Sequence, residues 1–315
     1  MTGGAGFIGS HLVDALVTTD FPVVVVDDLS TGQEANLVAA KAAGADLALI
    51  DIRDRDAVNE VFAGFGPEVV FHLAAQIDVR ASMADPAHDA DINVVGAINV
   101  FSAAAACGTR RVINTSTGGA IYGEDPPLPT PETAPSRPLS AYGLSKRTTE
   151  NYADWFRHIH DLDVVTLRYG NVYGPRQDPA GDAGVVAIFC SRVLAGLPPM
   201  IFGDGRQTRD YVFVRDIVAA NVAAACANSL RHSIFNVGSG REVSVLDLLE
   251  AVAAAAEVDP IEPRMLPPRP GEVIRSCLDI TRARDELRLE SPTPLCEGLK
   301  ATLAWMRDSA RPISQ

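Results

Sequence analysis

MTGGAGFIGSHLV, residues Met1–Val13, is the stretch of sequence that decides the fold. Its glycines Gly3, Gly6 and Gly9 are three residues apart, and an apolar helical pattern, SHLVDALV, follows directly. Glycine permits a tight turn, and it lets backbone N–H groups approach a pyrophosphate at the N-terminus of the following helix. The spacing alone is a weak signal, because a plain glycine-rich connection between a strand and a helix has the same pattern.

An acidic residue at the end of the next strand supports the nucleotide-binding interpretation. Asp27 lies 18 positions after Gly9 and ends an apolar run. A carboxylate about 20 residues after such a turn hydrogen-bonds the adenosine ribose of a dinucleotide. Asp28 follows, and no Lys or Arg precedes Lys41, so a 2'-phosphate would be repelled. Asp27 alone would be interpreted as a solvated acid, but together with the glycines it favours NAD over NADP.

Apolar segments that we interpret as strands alternate with Ala-rich helical stretches such as DINVVGAINVFSAAAACG. This alternation indicates a parallel sheet with both faces covered. After about residue 175 the alternation loosens, and stretches such as LPPRPGE indicate a smaller lobe. The predicted fold is α/β, a Rossmann-type doubly wound parallel sheet with a smaller C-terminal substrate-binding domain. The expected strands are FPVVVVDD (21–28), ADLALIDIRD (45–54), PEVVFHLAA (67–75), RRVINTST (110–117) and LDVVTLRYGNVYG (162–174).

A second motif, AYGLSK, carries a tyrosine and a lysine. Tyr142 and Lys146 are four residues apart in a helical stretch and therefore share one face. A tyrosine has a pKa of about 10, and lowering it to near 7 takes roughly 4 kcal/mol, which an ammonium and a positive nicotinamide ring would supply together. The pair alone is also typical of an exposed helix. Ser116 and Thr117, at a strand end, are the candidate hydroxyls for a Ser/Thr–Tyr–Lys triad, or simply turn residues.

Composition narrows the classes of function. The formal net charge of -13 argues against general nucleic-acid binding and against attraction to anionic membranes. The five cysteines are scattered and have neither disulfide-framework nor zinc spacing, which favours a reduced, cytoplasmic compartment and predicts no metal site. We recognise neither a signal peptide nor an apolar run that would span a bilayer.

The segments together resemble the extended short-chain dehydrogenase/reductase family, in its sugar-nucleotide epimerase branch. The resemblance covers almost the whole chain and implies NAD as cofactor, a UDP-hexose as substrate and 4-epimerisation through a transient 4-keto sugar. The segments that carry it are TGGAGFIGSHL, VVVVDDLSTG, FHLAAQIDVRAS, DINVVGAINV, TSTGGAIYGE, AYGLSK, LRYGNVYGPRQ, FGDGRQTRDYVFVRD, FNVGSG and RPGE.

The resemblance also assigns roles to individual residues, with Thr117, Tyr142 and Lys146 at the catalytic positions. Tyr142 and Lys146 are also expected to contact the cofactor. The other expected cofactor contacts are Gly3, Gly6, Phe7, Ile8, Gly9, Asp27, Asp28, Ser30, Thr31, Gly32, Asp51, Ile52, Leu73, Ala74, Ala75, Asn93 and Tyr169. Besides Thr117, the expected substrate contacts are Asn171, Val185, Arg209, Arg269, Glu272 and Ser276, of which the two arginines would hold the diphosphate and Glu272 the uridine ribose.

Related activities differ in the turn after the catalytic threonine. A 4,6-dehydratase needs an acid pair there and a UDP-glucuronate decarboxylase a glutamate, whereas this chain has Gly118 and Gly119. Both activities are therefore disfavoured. A UDP-glucuronate 4-epimerase or another sugar-nucleotide enzyme of this kind stays open, as does an NAD-binding sensor, although a sensor would usually lose the Tyr–Lys pair.

Ser276 matches the position that in the family stands beside the 2-substituent of the sugar. A small residue there predicts that the N-acetylated sugar pair is accepted as well, whereas a plain loop serine would carry no such consequence. The resemblance further implies a homodimer through helices at about residues 93–107 and 142–160. We assign residues 1–168 and 207–238 to the NAD-binding domain, and residues 169–206 and 239–315 to the sugar-nucleotide domain.

The glycine turn has almost no strand before it. Only Met1 and Thr2 precede Gly3, whereas such a turn normally follows a strand in the middle of the sheet. We therefore expect exposed neighbouring strands and unpaired backbone groups. The interpretation that we favour is a recorded start that lies a few residues late, and the alternative is a true truncation with impaired NAD binding.

Overall fold

A computed structural model of the chain describes residues 1–19, 21–179, 184–268 and 273–308. The α-helices are α1 (Phe7–Leu16), α2 (Val38–Ala42), α3 (Arg55–Phe65), α4 (Val79–Ala84), α5 (Pro86–Ala90), α6 (Gly96–Ala106), α7 (Gly118–Ile121), α8 (Ala141–His160), α9 (Val185–Leu194), α10 (Val214–Cys226), α11 (Val245–Ala256), α12 (Thr281–Glu286) and α13 (Leu295–Asp308). The strands are β1 (Val24–Asp27), β2 (Asp46–Leu49), β3 (Val69–His72), β4 (Arg111–Thr117), β5 (Asp163–Tyr169), β6 (Asn171–Tyr173), β7 (Met200–Phe202), β8 (Thr208–Arg209), β9 (Tyr211–Phe213), β10 (Ile234–Val237), β11 (Val243–Ser244) and β12 (Arg264–Leu266).

The main sheet is parallel, as predicted. Strands β3, β4, β5 and β10 are neighbours in that order, and β1 pairs with β2. The segment 162–174, expected as one strand, forms two. Gly170 separates the two strands, and a Cβ atom there would lie 2.8 Å from the carbonyl oxygen of Asp210. Strand β6 then leaves the main sheet and pairs with β9.

Met1–Gly3 joins the two parts of the sheet. Thr2 bridges both Val26 in β1 and His72 in β3. The amide of Thr2 donates to Phe71 O (2.9 Å), and Met1 O accepts from the amide of Val26 (2.7 Å). The expectation that backbone groups are left unpaired is therefore wrong for the carboxyl-terminal halves of β1 and β3, because these few residues themselves run between the two strands.

Alternate residues of each central strand pack on opposite faces of the sheet. Val112 and Val164 face the side covered by α3, α6 and α8, whereas Ile113 and Val165 face the side covered by α1, α10 and α12. This is the period-two alternation of a strand that is buried on both faces. Each fully buried aliphatic side chain contributes about 1.5–3 kcal/mol to folding.

A further core lies among α9, α11 and α13, with side chains from β6 and β9. Ala283 and Leu287, which the sequence assigned to the second domain, instead pack in the core beside α10. The proposed domain boundaries stay a prediction. Among the described residues, no helix is long and apolar enough to cross a membrane.

Candidate active site

The glycine turn folds closely against its surroundings. Gly3 has φ +70°, and a Cβ atom on it would lie 2.5 Å from the amide nitrogen of Ala74. A Cβ atom on Gly9 would lie 2.0 Å from Gly3 O, so both positions require glycine. Helix α1 begins at Phe7 with no side chain capping its N-terminus. Such a terminus presents backbone N–H groups and a positive dipole end to an anion. Gly6, Ile8, Leu73 and Ala75 lie within this turn and the facing loop.

Asp27 connects the end of β1 to the turn. Its Oδ2 accepts from the amide of Ala5 (2.8 Å) and its Oδ1 accepts from the amide of Leu29 (2.9 Å). Burial raises the pKa of Asp27, while these two hydrogen bonds oppose the shift. A Cβ atom on Gly32 would lie 2.8 Å from Asp27 Oδ1. The carboxylate is therefore at the turn, where the sequence placed it.

The polar residues just beyond Asp27 are more exposed. Asp28 Oδ1 accepts from both the amide (2.9 Å) and the hydroxyl (2.6 Å) of Ser30, which closes a local turn. Thr31 is exposed beside them. The structure thus places Asp28, Ser30 and Thr31 at the rim of the same turn.

At the end of β2, sequence reasoning missed Arg53. Its guanidinium binds Asp51 (Nη2 to Oδ2, 2.6 Å) and reaches Asp91 (3.3 Å). The hydrogen bond to Arg53 lowers the pKa of Asp51. Ile52 is buried against Gly96, where a Cβ atom would lie 2.5 Å from Ile52 Cδ1. The predicted adenine contacts Asp51 and Ile52 are thus held in place, the first by Arg53 and the second by packing.

The structure brings Thr117, Tyr142 and Lys146 together. Helix α8 begins after Ser140, whose hydroxyl accepts from the amide of Gly143 (3.1 Å), so Tyr142 lies in the first turn. The Tyr142 hydroxyl and the Thr117 side chain share a hydrogen bond. One helical turn later, Lys146 Nζ donates to Thr115 O in β4 (3.1 Å). Ser116, the other candidate hydroxyl, instead donates to Glu150 Oε1 (2.7 Å) on the buried side of α8.

The chain alone does not lower the pKa of the Tyr142 phenol. In the chain alone, burial and the nearby Asp89 raise the pKa of Tyr142 to about 12, although the hydrogen bond with Thr117 opposes the shift. Burial lowers the pKa of Lys146 to about 8, and Lys146 donates to a backbone carbonyl. The expectation that Lys146 and a positive nicotinamide ring together lower the phenol pKa therefore stays a prediction.

Asn93 connects the triad to the loop after β3. It lies in a π-helical turn, Asp91–Val95, and such turns often mark functional sites. Its Oδ1 accepts from the amide of Gln76 (2.9 Å), and its Nδ2 donates to Gln76 O (2.9 Å) and to Ser145 Oγ (3.1 Å). Asn93 therefore links this loop to α8.

Two predicted positions lie at the end of β5 and at the start of β6. The Tyr169 hydroxyl accepts from Asn221 Nδ2 (2.7 Å) within the core, and burial raises its pKa to about 12. Asn171 Oδ1 is buried without a hydrogen-bond partner among the described residues. A Cβ atom on Gly119 would lie 3.5 Å from this oxygen and 3.9 Å from Thr117 Oγ1. Asn171 therefore presents an unused acceptor across Gly119 from the Thr117 hydroxyl.

Three of the remaining substrate positions lie among the described residues. Val185 is the first residue of α9 and is partly buried, and Arg209 ends β8. Arg269 and Glu272 lie outside the described residues. Ser276 is 7% exposed, two residues before Leu278, whose side chain packs on Gly118. The structure thus brings the Ser276 segment next to the turn that follows Thr117.

Asp210 holds this second-lobe segment in place, and sequence reasoning missed it. Its fully buried carboxylate accepts from the Ser239 hydroxyl (2.7 Å) and from the amides of Ser239 (2.6 Å), Gly240 (3.1 Å) and Leu278 (3.1 Å). Burial raises the pKa of Asp210, and these hydrogen bonds oppose the shift. Asp210 therefore fastens two segments, the loop at Ser239–Gly240 and the backbone at Leu278, next to Arg209.

Sequence reasoning also missed a buried ion pair behind the triad. Arg168 in β5 binds Glu150 in α8 through two hydrogen bonds (2.6 and 2.8 Å). Arg168 Nη1 donates to the Tyr122 hydroxyl (2.8 Å). Because Glu150 also binds Ser116, the pair fastens α8 to β4 next to Thr117.

Known proteins are similar to this chain in sequence and in fold. A model of the NAD dependent epimerase/dehydratase family matches residues 1–238. The chain is 46% identical, over 99% of each chain, to the UDP-glucose 4-epimerase of Mycolicibacterium smegmatis. Two similar solved structures are the UDP-glucose 4-epimerase of Thermotoga maritima with UDP-glucose (44% identity, TM-score 0.93) and that of Thermus thermophilus in complex with NAD (40% identity, TM-score 0.90). Both alignments cover 98% of each chain.

Proposed function

We infer the activity of this chain from its family: the chain belongs to the NAD dependent epimerase/dehydratase family. We propose that it catalyses the NAD-dependent 4-epimerisation of a UDP-hexose, interconverting UDP-glucose and UDP-galactose. The observation that carries the proposal is the assembly of Thr117, Tyr142 and Lys146 next to the unused acceptor of Asn171.

The residues fit NAD as the cofactor. The uncapped N-terminus of α1 and the glycine turn suit a pyrophosphate, because side chains at Gly3 and Gly9 would fill the turn. Asp27 is held at that turn and suits a ribose with free hydroxyls. When bound, NAD supplies the acceptor and donor of the hydride that leaves and returns to C4 of the sugar.

Tyr142 is the general base and acid of the proposed reaction. It takes the proton from the 4-hydroxyl, with Thr117 in the hydrogen-bond relay, and the sugar becomes a 4-keto sugar. The sugar then turns about its link to the diphosphate, and Tyr142 returns the proton to the oxygen on the other side. The pKa of the Tyr142 phenol is about 12 in the chain alone. Lowering it to about 7 takes roughly 7 kcal/mol of favourable interaction with the phenolate, so cationic charge has to act there.

The turn after Thr117 favours epimerisation over dehydration. A Cβ atom on Gly118 would lie 2.6 Å from Leu278 Cδ1, so an acidic side chain would not fit there without a shift of Leu278. Gly119 leaves the space between Thr117 and Asn171 open. The acid pair that a dehydratase needs is therefore not accommodated in this turn.

The nucleotide part of the substrate is assigned to two arginines and a glutamate. We propose that Arg209 and Arg269 bind the diphosphate, that Glu272 binds the uridine ribose, and that Asn171 and Val185 contact the sugar. Arg209 is held in a short antiparallel pair, Thr208–Arg209 with Val243–Ser244, which gives it a rigid base.

The test is product identification with purified protein and no added NAD. Incubation with UDP-galactose should yield UDP-glucose, because we expect NAD to remain bound during purification. Parallel incubations with UDP-galacturonate and UDP-N-acetylgalactosamine identify the other sugar series. Turnover of UDP-galacturonate alone would replace the proposed substrate with the glucuronate series, and tight NAD retention with no turnover of any sugar would indicate an NAD-binding sensor.

We further propose a cytoplasmic homodimer. All five cysteines are free, in agreement with a reducing compartment. Leu144, Trp155 and Ile159 are exposed on one face of α8, and Val95 is exposed at the start of the neighbouring helical segment. An exposed apolar stripe of this kind suits contact with a second copy.

A further inference from the structure

Asp89 is a buried acid that the mechanism above does not use. It lies in α5 and is 1% exposed. Its Oδ1 accepts from Gln76 Nε2 (2.9 Å) and from Asn93 Nδ2 (3.2 Å). Its Oδ2 is buried and has no hydrogen-bond donor among the described residues. A carboxylate with an unsatisfied buried oxygen is costly, so its position calls for an explanation.

A chain of hydrogen bonds leads from Asp89 to the catalytic turn of α8. Asn93 Nδ2 donates both to Asp89 and to Ser145 Oγ (3.1 Å), and Ser145 Oγ donates to Tyr142 O (2.9 Å). Ser145 directly precedes Lys146. The carboxylate is thereby fixed relative to both Tyr142 and Lys146, and it interacts electrostatically with each of them.

The other charged groups near Lys146 are already balanced or neutral. Glu150 is bound by Arg168 (2.6 Å) and Arg147 (3.1 Å). His72, on β3, has a pKa lowered to about 3 by burial, and the Met1 amino group beside it has a pKa lowered to about 5, so both are neutral near pH 7. Asp89 is the remaining carboxylate that acts on Lys146.

We propose that Asp89 is a positioning residue whose buried carboxylate balances the ammonium of Lys146, so that the phenol of Tyr142 gives up its proton only when the positively charged cofactor is bound. The inference rests on the proposed function. Because the negative charge of Asp89 offsets the positive charge of Lys146, the chain alone presents little net positive charge to the phenolate. The positive charge of the cofactor's ring then decides whether Tyr142 ionises. Once that ring charge is lost, Tyr142 holds its proton again.

The experiment is a pH titration of tyrosinate ultraviolet absorbance in the holoenzyme with NAD+ bound. Subtracting the titration of Tyr142→Phe isolates the Tyr142 transition. In Asp89→Asn the Tyr142 midpoint should fall by about one pH unit, a tenfold easier ionisation, because a neighbouring negative charge is removed. The acidic limb of the kcat profile should shift by the same amount. An unchanged or higher midpoint overturns the proposal.

Control variants separate charge from structure. Asp91→Asn makes the same charge change two residues away, on a side chain paired with Arg53, and should leave the midpoint unchanged. Asp89→Glu keeps the charge and should retain the wild-type midpoint, whereas a shift as large as that of Asp89→Asn contradicts the charge argument.

Two further variants complete the test. If Asp89→Asn fails to fold, Asp89→Ser removes the charge with a smaller side chain and should give the same fall. In Lys146→Met, the charge of Asp89 is left unbalanced and the Tyr142 midpoint should rise by at least one pH unit. A smaller rise contradicts the proposed charge balance.

The titration requires no turnover, so failure of this proposal can be told from failure of the proposed function. A midpoint that shifts in a protein without epimerase activity refutes only the proposed function. Normal turnover with no shift refutes only the role of Asp89.

Discussion

Tyr142 is the residue on which the proposed chemistry depends most. Tyr142→Phe keeps the ring, and therefore the packing in the first turn of α8, but removes the phenolic oxygen. We expect turnover of UDP-galactose to fall at least about 100-fold, while the bound NAD content stays normal. The measurement is kcat together with the NAD released on denaturation.

Tyr152→Phe is the matched control, since Tyr152 lies on the same helix but is partly exposed. It should keep wild-type turnover. Near-normal activity of Tyr142→Phe would show that another group is the base.

We expect Ser276 to determine the substrate breadth. Its small side chain lies in the segment that packs on Gly118, next to the catalytic threonine. We expect the wild-type protein to epimerise UDP-N-acetylglucosamine as well as UDP-glucose. Ser276→Tyr should abolish the first activity and spare the second, because the added ring collides only with the larger sugar. Product analysis with both sugars decides, and equal loss of both activities would contradict the assignment.

At the scale of elements, the Arg168–Glu150 pair fastens α8 to the sheet. Both side chains are almost fully buried, so removing one partner leaves an uncompensated charge. We expect Arg168→Met to lower the free energy of unfolding by about 3–5 kcal/mol, measured by urea denaturation. Combining it with Glu150→Leu should restore part of that loss, because no buried charge then remains.

The exposed pair Lys41–Glu34 is the control for this prediction. Glu34→Gln should change the free energy of unfolding by less than about 1 kcal/mol. If Arg168→Met costs no more than Glu34→Gln, the buried pair does not fasten α8 in the way that we describe.

The elements that sequence predicted best are those with a local pattern. The glycine turn, the five apolar segments and the Tyr142–Lys146 spacing are readable within a few residues, because the strand and helix periods are local. Asp89 and Arg168 carry no such pattern. In the sequence, an acid in a short helix looks the same whether it is solvated or buried. Arg168 contacts Glu150, which lies 18 residues earlier in the sequence, only in the folded chain. The pKa of Tyr142 in the chain alone is not readable from the sequence for the same reason, since burial and Asp89 come from tertiary packing.

At the scale of the whole molecule, His72 makes stability depend on pH. Burial lowers its pKa to about 3 from an ordinary value of 6.5, so the folded state keeps it neutral while the unfolded chain takes up a proton. The contribution of His72 to the free energy of unfolding is therefore fully present above pH 6.5 and is lost as the pH falls from 6.5 toward 3. Between pH 7 and pH 5 the loss from His72 should be about 2 kcal/mol.

His72→Asn keeps a polar contact for Thr2 and removes the titrating group. Its free energy of unfolding should fall by about 2 kcal/mol less than that of the wild type over the same pH interval, as measured by urea denaturation at both pH values. His158→Gln, at an exposed site on α8, should retain the wild-type pH dependence. An unaltered slope in His72→Asn would mean that His72 is not responsible.

We expect one face of α8 to form the contact between two copies of the chain. Leu144, Trp155 and Ile159 are spaced by 11 and 4 residues, which places them on one stripe of the helix, and they are 58%, 46% and 63% exposed. Burying this apolar stripe against the same stripe of a second copy would stabilise a dimer, because a twofold interface brings the same patch of each copy together.

We expect the wild-type protein to sediment as a dimer and Trp155→Glu to shift it toward the 33.4 kDa monomer, since a buried unpaired charge would oppose association. Val38→Glu, at an equally exposed apolar site on α2, should remain dimeric. A wild-type protein that sediments as a monomer, or a Val38→Glu variant that dissociates as readily as Trp155→Glu, would exclude this face as the interface.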